Sequence, residues 1–167
     1  KAAGVVKDYI AAGDVYQVNV AQRYEVSLPC HPWSLYRRLR TVNPAPFGAY
    51  LEYPGLAVLS ASPEQFLCLR DGIVTSRPMK GTRPRGRGAA EDVRLAGELL
   101  ASEKDRAENV MIVDLMRNDL GRVCAYGSVR VPHSRIIESH PTIHHGVATI
   151  TGQLHHRKDP IDLLRAT

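Results

Sequence analysis

The dipeptide Asp71-Gly72 constrains the fold of this chain more than any other feature of its sequence. It separates two short runs of strand-forming residues, 66–70 and 73–77. Asp and Gly both tolerate the positive φ angles of a two-residue β-turn, whose twist matches that of two antiparallel strands. The sequence therefore predicts a β-hairpin in which Arg70 faces Ile73, and the same register places Glu64 opposite Met79.

Blocks of strands and helices alternate along the remaining sequence. Apolar residues at helical spacing predict helices at 1–12, 31–41, around 93–100, from 107 to a stop at Gly121, and from 160 onwards. Strand-forming runs predict strands at 15–26, 47–53, 56–60, 128–131, 135–139 and 142–154, in addition to the hairpin. A glycine- and arginine-rich loop is expected at 81–88. This order is typical of an α+β fold with antiparallel sheets and flanking helices.

Composition excludes several classes of protein. The 167 residues are 44% hydrophobic and 23% charged, which is ordinary for one globular domain and unlike a disordered or coiled-coil chain. No apolar run approaches the ~20 residues that cross a bilayer. The three cysteines are widely spaced and contain no CxxC pair, which favours a reducing, cytoplasmic setting without a zinc site.

The net charge of +5 is concentrated in one segment. Five cations lie within 77–87 with no acidic residue among them: Arg77, Lys80, Arg83, Arg85 and Arg87. Such a cluster attracts a carboxylate, a phosphate or a nucleic acid, unless it is only a solvated basic loop. No aromatic residue between positions 71 and 87 could stack on a base, so a nucleic-acid-binding module is the weaker interpretation.

The predicted hairpin brings Glu64 and Lys80 within about one strand spacing, on the order of 5–8 Å. A bulge near Pro78, or a longer turn, pairs them directly. A simple ion pair at the sheet rim is the alternative. Neighbouring cations favour the neutral form of Lys80, which is nucleophilic, and a carboxyl beside it can transfer a proton. Backbone N–H groups at Gly81 and the Thr82 hydroxyl suit a carboxylate ligand, although Gly81 is equally consistent with an ordinary turn.

Carboxylates and histidines further along the chain add candidates. Glu108 precedes an apolar helical run, so it is expected at the core-facing edge of its helix, where one carboxylate could hold Mg²⁺. An ion pair with a nearby base is the alternative. His140, His144 and His145 resemble a metal trio, but adjacent strand residues point to opposite faces, which argues against a three-histidine site.

Four ordered motifs make the chain resemble the chorismate-utilising enzymes: GDVYQVNVAQRY (13–24), SPEQF (62–66), PMKGTRPRG (78–86) and DRAENVMIVDLMRNDLGRV (105–123). The resemblance runs from about residue 10 to the end. It implies a chorismate-binding fold of the anthranilate synthase component I type. Within the family, the P-x-K-G-T motif with Lys80 looks like aminodeoxychorismate synthase component I, since anthranilate synthases carry Ala there. Gln17 stands where the isochorismate and salicylate synthases place a water-activating lysine.

The resemblance also implies roles and partners. Lys80 would attack C2 of chorismate with Glu64 as general acid/base, and ammonia would then form 4-amino-4-deoxychorismate, a precursor of 4-aminobenzoate and folate. Positions that match substrate contacts are Gln17, Gly81, Thr82 and His145. Mg²⁺ would bridge Glu108 and a substrate carboxylate, and a glutamine amidotransferase would supply the ammonia. An enzyme of the anthranilate synthase type is the alternative.

The resemblance marks residues 1–167 as part of a chorismate-binding domain. The family's N-terminal domain and the later part of its active site have no counterpart here, so the 167 residues are expected to be inactive alone. Gly146 and Ala148 replace the expected Leu and Ser beside His145.

Overall fold

The predicted hairpin is confirmed and shows the expected turn. In the computed structural model, which describes residues 2–167, Arg70 pairs with Ile73. Asp71 and Gly72 have φ angles of 52° and 76°, so both turn residues adopt the left-handed conformation that this Asp-Gly sequence permits.

Over residues 2–167 the chain forms five helices and seven strands. The helices are α1 (Ala2–Ala12), α2 (Pro32–Val42), α3 (Ala89–Ala101), α4 (Glu103–Gly121) and α5 (Pro160–Ala166). The strands are β1 (Phe47–Tyr53), β2 (Leu56–Ser62), β3 (Gln65–Arg70), β4 (Ile73–Arg77), β5 (Met79–Pro84), β6 (Arg130–Ser139) and β7 (Ile143–Gln153). The predicted α+β class with antiparallel sheets is therefore confirmed. Within the same residues, no helix combines the length and apolar character that a membrane crossing requires.

Two sequence predictions about strands are wrong. The segment 15–26 alternates apolar and polar residues but forms no strand, and most of its side chains are exposed. Alternation yields a strand only where a neighbour accepts its backbone hydrogen bonds, and no strand described in the structure lies alongside this segment. Conversely, the first half of the expected loop at 81–88 is strand, because β5 pairs with β7 up to Pro84, and only 85–88 are irregular.

The larger sheet contains five strands among the described residues, and β7 is its centre. β6 pairs with one edge of β7, while β4 and β5 follow one another along the other edge. Pro78 separates β4 from β5 but stays in line, since its carbonyl accepts a hydrogen bond from the Ala148 N–H at 3.0 Å. Strand β3 continues the sheet beyond β4.

Helices α4 and α5 cover one face of this sheet and enclose the core. Its buried members include Val74, Val113, Met116, Leu120, Ala148, Ile150 and Leu163. Each of the Val, Leu, Ile and Met side chains contributes ~1.5–3 kcal/mol through removal of apolar surface from water. This packing fixes β7 and the strands beside it against the helices.

A second, two-stranded sheet is formed by β1 and β2, with α2 beside it. The predicted start of α2 is confirmed: the His31 side chain accepts a hydrogen bond from the Trp33 N–H, and Pro32 occupies the first turn. The rings of Trp33, Tyr36 and Tyr50 pack together between α2 and β1 at centroid distances of 5.1–5.7 Å.

Candidate active site

A β-bulge in β5 carries Lys80. Met79 pairs with Val147 and Thr82 pairs with His145, so Lys80 and Gly81 together face the single residue Gly146. Gly81 adopts φ 84°, a left-handed conformation that favours glycine. A Cβ atom at Gly146 would lie 2.6 Å from the Lys80 carbonyl oxygen, so the glycine found there allows the two strands to approach closely. Bulges redirect side chains, and this one lies where the sequence predicts chemistry.

Glu64 lies beside this bulge, although its predicted register is wrong. A bulge in β3 shifts the pairing by one residue, because Gln65 faces Arg77 while Cys68 faces Thr75. The Glu64 carboxylate nevertheless accepts a hydrogen bond from the Met79 N–H at 2.9 Å. The acid is thus held at the residue next to Lys80 by a backbone contact that residue spacing could not reveal.

Three arginines near Lys80 each form an ion pair with a carboxylate. Arg77 forms an ion pair with Glu138, Arg83 with Asp105, and Arg85 with Asp92. The premise that uncompensated cations surround Lys80 is therefore wrong, and so is the view of 77–87 as a solvated basic patch. Lys80 differs from these arginines, since no carboxylate of residues 2–167 forms an ion pair with it. Its side chain is half-buried.

His145 and Thr82 face each other on the paired strands β7 and β5, next to the bulge. The Thr82 hydroxyl lies 3.0 Å from His145 Nδ1, across the strand pair that joins β5 to β7. The Nε2 atom of His145 is buried and has no hydrogen-bond partner within the described chain. Desolvation lowers the pKa of His145, which favours the neutral imidazole.

His144 points away from His145, as the strand period predicts, and enters a separate polar network. Its Nε2 lies 3.0 Å from Asp92 Oδ1, and its Nδ1 lies 2.8 Å from the Ser139 hydroxyl. Asp92 also receives two hydrogen bonds of 2.7 Å from Arg85. Hydrogen bonds from Arg85 and from the Gly86 N–H hold the pKa of Asp92 far below its ordinary value. Nothing in the sequence spacing marks Asp92 as a partner of His144, so sequence reasoning missed this network.

The first turn of α4 packs against Gly81. A Cβ atom at Gly81 would lie 2.7 Å from Leu99 Cδ1 and 2.8 Å from Asp105 Cγ. Asp105 is buried and pairs with Arg83 at 3.4 Å. Gly81 is therefore neither a turn residue nor interchangeable with alanine, because helices α3 and α4 occupy the space that a side chain would need.

Glu108 lies one helical turn after Asp105 on α4. Its carboxylate forms an ion pair with Lys104 at 3.0 Å, the alternative that the sequence left open. This contact raises the pKa of Lys104. The Glu108 side chain is 39% exposed, so it remains accessible to a ligand. No cluster of three or more metal-binding side chains occurs within residues 2–167. Magnesium is commonly held by one or two carboxylates with waters and substrate oxygens, and a single accessible carboxylate fits that chemistry.

Gln17 is not joined to this region by any hydrogen bond in the described chain. It lies in the irregular segment after α1, where its Oε1 atom is buried without a partner. The structure thus gathers Glu64, Lys80, Gly81, Thr82 and His145 around the β5 bulge and places Glu108 on the adjacent helix, but within residues 2–167 it shows no hydrogen bond from Gln17 to them.

Fold and site together define an α+β protein with a polar cluster at a bulged strand. Its overall shape is that of a known structure: the crystal structure of anthranilate synthase component I from Streptococcus pneumoniae matches with a TM-score of 0.85 and 33% sequence identity, over 98% of this chain and 36% of that one. The model of the chorismate binding enzyme family matches residues 1–167. The chain belongs to this family.

Curated relatives carry two different enzyme names. Aminodeoxychorismate synthase component 1 of Bacillus subtilis is 47% identical over 161 residues, 96% of this chain and 34% of that protein. Anthranilate synthase component 1 of Thermus thermophilus is 48% identical over 157 residues, 94% of this chain and 34% of that protein. The chain thus spans about a third of the length of these relatives, and overall identity does not separate the two activities.

Proposed function

We propose that this chain is part of an aminodeoxychorismate synthase component I, which converts chorismate and ammonia to 4-amino-4-deoxychorismate. One observation carries the proposal: Lys80 stands on the β5 bulge without an ion-pair partner in the described chain, beside a carboxylate held in place by the Met79 N–H. Every arginine flanking it within β4, β5 and the following residue is paired. A lysine without an ion-pair partner in the described chain, one residue along the strand from the N–H that holds an acid, has the residue types that nucleophilic catalysis uses.

The proposed reaction has two displacement steps. The neutral Lys80 amine forms a bond to C2 of chorismate, both conjugated ring double bonds shift, and the C4–oxygen bond breaks; Glu64 gives its proton to the departing hydroxyl, which leaves as water, and takes up the proton that the lysine nitrogen loses. Ammonia then forms a bond to C4, both double bonds shift back, and the C2–nitrogen bond to Lys80 breaks; the proton lost by the added nitrogen passes through Glu64 to the departing lysine nitrogen. The lysine is regenerated, and no oxidant or reductant takes part.

The surrounding residues bind rather than react in this scheme. The bulge exposes backbone groups at Gly81, and the Thr82 hydroxyl and His145 ring lie beside them. Glu108 is the residue that would hold Mg²⁺, because its carboxylate is accessible. When bound, the ion would neutralise the charge of a substrate carboxylate.

Ammonia for this reaction would come from a partner. The relative from Bacillus subtilis is named component 1 of its synthase, a name that implies a second component. We propose a glutamine amidotransferase in that role, either as a separate chain or fused to this one.

Product identity tests the proposal. The intact enzyme that carries this chain is incubated with chorismate, Mg²⁺ and excess ammonium, and the product is identified by mass and chromatography. We expect 4-amino-4-deoxychorismate from the wild type and a rate reduced about a thousandfold in Lys80→Ala. Lys158→Ala is the matched control, because Lys158 pairs only with Asp162 on α5, and it should leave the rate unchanged.

An anthranilate synthase activity is the second candidate, since the relative from Thermus thermophilus and the structure from Streptococcus pneumoniae carry that name. Anthranilate as the product, with little effect of Lys80→Ala, would establish it and would reduce Lys80 to a surface charge.

A further inference from the structure

The guanidinium of Arg135 on β6 joins the sheet to the junction of α3 and α4. Its Nη1 atom donates hydrogen bonds to the carbonyls of Leu100 and Ser102 at 3.2 and 3.3 Å, and its Nη2 atom donates to the Leu99 carbonyl. Ser102 also caps α4, because its hydroxyl accepts a hydrogen bond from the Asp105 N–H. One side chain thus holds the end of one helix and the start of the next.

The third nitrogen of Arg135 lies behind the β5 bulge. Its Nε atom is buried and has no hydrogen-bond partner within residues 2–167. A Cβ atom at Gly146 would lie 3.3 Å from this Nε and 2.6 Å from the Lys80 carbonyl oxygen. Arg135 and the bulge therefore approach the same point of β7 from its two edges, and the glycine there leaves room for both.

The burial of Arg135 costs more than capping a helix requires. Arginine stays charged throughout the pH range of folded proteins, yet no carboxylate of residues 2–167 forms an ion pair with Arg135. The last carbonyls of α3 stabilise the charge, but the unpartnered Nε remains unfavourable. A guanidinium at the surface reaches the last carbonyls of a helix equally well, so capping alone does not explain why Nε is buried.

The junction that Arg135 holds is the part of the helices that packs on the bulge. A Cβ atom at Gly81 would lie 2.7 Å from Leu99 Cδ1 and 2.8 Å from Asp105 Cγ. Leu99 therefore makes both contacts, since its carbonyl accepts from Arg135 and its side chain packs at Gly81. A displacement of the junction reaches the residue next to Lys80.

Glu108 lies on α4 between two points that are attached to β6. Ser102, before the helix, binds Arg135, and Asn109, directly after Glu108, donates a hydrogen bond from Nδ2 to the Ser134 carbonyl at 2.7 Å. Asn109 is buried, so this contact is shielded from water. Two adjacent residues of β6 thus set the position of Glu108 relative to the sheet.

We propose that Arg135 is a positioning residue for the active site, which fixes Glu108 on α4 relative to Lys80 on the β5 bulge. The inference rests on the proposed function, in which both residues act on one substrate. Arg135 acts through the backbone that it holds. A misplacement of about 1 Å between groups that act on one substrate can cost about a hundredfold in rate, so a joint of this kind affects turnover and not only stability.

An Arg135→Met variant of the intact enzyme tests the proposal, because methionine fills similar space without donating hydrogen bonds. We expect amide hydrogen exchange to become about tenfold faster in both 79–84 and 100–109. The dissociation constant for Mn²⁺, used as a probe for Mg²⁺, should rise about threefold or more, and kcat per folded enzyme should fall about tenfold. Arg130→Met is the matched control: Arg130 lies on the same strand, is exposed, and bonds only to the nearby carbonyls of Gly127 and Val129.

A helix cap without a positioning role gives a different result. Faster exchange at 100–109 alone, with kcat per folded enzyme and Mn²⁺ affinity unchanged, overturns the proposal.

Arg135→Lys provides a second variant if the methionine variant does not fold. An ammonium keeps the charge at the end of α3 but cannot reproduce the planar fork that reaches three carbonyls. We expect kcat per folded enzyme to fall about threefold, with a weaker affinity for Mn²⁺. Wild-type values for both in Arg135→Lys overturn the positioning role.

Hydrogen exchange separates this proposal from the assignment of function, since it does not depend on the product. Faster exchange in both segments together with anthranilate as the product would refute the proposed function and leave the joint between α4 and the bulge established. Unchanged exchange at 79–84 in Arg135→Met overturns the joint, whichever product the enzyme makes.

Discussion

The polar groups on the two faces of β7 differ in whether they have hydrogen-bond partners. On the face toward the helices, both nitrogens of His144 have partners, and Asp92 accepts hydrogen bonds from Arg85, Gly86 and His144. On the other face, one residue along the strand, His145 leaves Nε2 without a partner in the described chain. His140 does the same, and Lys80 on the neighbouring β5 bulge forms no ion pair within residues 2–167.

We interpret this contrast as a division between groups that hold the fold and groups that, under the proposed function, a ligand would contact. A buried donor or acceptor without a partner costs about 1–3 kcal/mol, whereas a satisfied network stabilises the folded state. Substitutions on the helix-facing side should therefore change stability, and those on the bulge side should change catalysis. Residues at the junction should change both.

Gly81→Ala should have the largest effect, because Gly81 lies on the β5 bulge and also packs against α3 and α4. A methyl group there would lie 2.7 Å from Leu99 and 2.8 Å from Asp105, at a φ angle of 84° that alanine rarely adopts. We expect the free energy of unfolding to fall by about 3 kcal/mol and turnover of chorismate to become undetectable. Urea unfolding and the product assay measure the two effects.

Gly97→Ala is the control for that substitution. Gly97 lies within α3, and a Cβ atom there meets nothing within 4 Å. Alanine should stabilise the helix by roughly 0.5–1 kcal/mol without altering turnover. Equal behaviour of the two variants would show that Gly81 has no special place in the structure.

Asp92→Ala should reduce stability with little direct effect on catalysis. It removes the acceptor shared by Arg85, His144 and the Gly86 N–H, and we expect the Tm to fall by about 5 °C or more. KM for chorismate should change less than about threefold in the folded enzyme. Asp114→Ala is the control, since Asp114 forms only an exposed pair with Arg117. A large rise in KM without a change in Tm would assign Asp92 to the site instead.

Acidification provides a second measurement on Asp92→Ala. Hydrogen bonds from Arg85 keep the pKa of Asp92 below its ordinary value of ~3.9. Its stabilising contribution is therefore complete above about pH 4 and is lost as the pH falls toward the folded-state pKa. The difference in Tm between wild type and Asp92→Ala should stay constant above about pH 4 and shrink as the pH falls below it. A difference that stays constant below that pH as well would mean that packing, and not charge, accounts for the loss.

Lys104→Ala should have the smallest effect. Its ion pair with Glu108 is exposed, and such pairs contribute little to stability, so the Tm should stay within about 1 °C. Without the competing lysine, the Mg²⁺ concentration that gives half-maximal activity should fall by about twofold. Lys7→Ala, on the exposed helix α1, should change neither quantity. A higher Mg²⁺ requirement in Lys104→Ala would contradict the role proposed for Glu108.

Local sequence signals predicted the elements whose partners lie nearby. The Asp71-Gly72 turn, the helix start at His31 and Pro32, and the helix from Pro160 are all fixed by residues within a few positions. The segment 15–26 failed because its alternation depends on a partner strand that the sequence does not specify. The register near Glu64 failed because a bulge adds one residue that no composition marks.

The candidate site was predictable in its residues but not in its charges. Lys80, Glu64, Thr82 and His145 were found because turn geometry and motif placed them near one another. The carboxylates that neutralise Arg83 and Arg85 come from α4 and α3, 22 and 7 residues further along the chain, and no periodic pattern links these pairs. Such pairing depends on how the helices dock on the sheet, and a single sequence contains no direct record of that docking.

The extra residue in the β5 bulge reverses the face of the sheet toward which odd- and even-numbered side chains point. Before it, Ser76 is buried on the helix side and Arg77 meets Glu138 on the other. After it, Thr82 stands with His145, and Arg83 turns to Asp105 on α4. Odd and even positions exchange sides at the bulge. The consecutive strands β4 and β5 therefore place arginines on both faces of the sheet. Deleting a single residue between Met79 and Thr82 would therefore move each following side chain of β5 to the opposite face of the sheet.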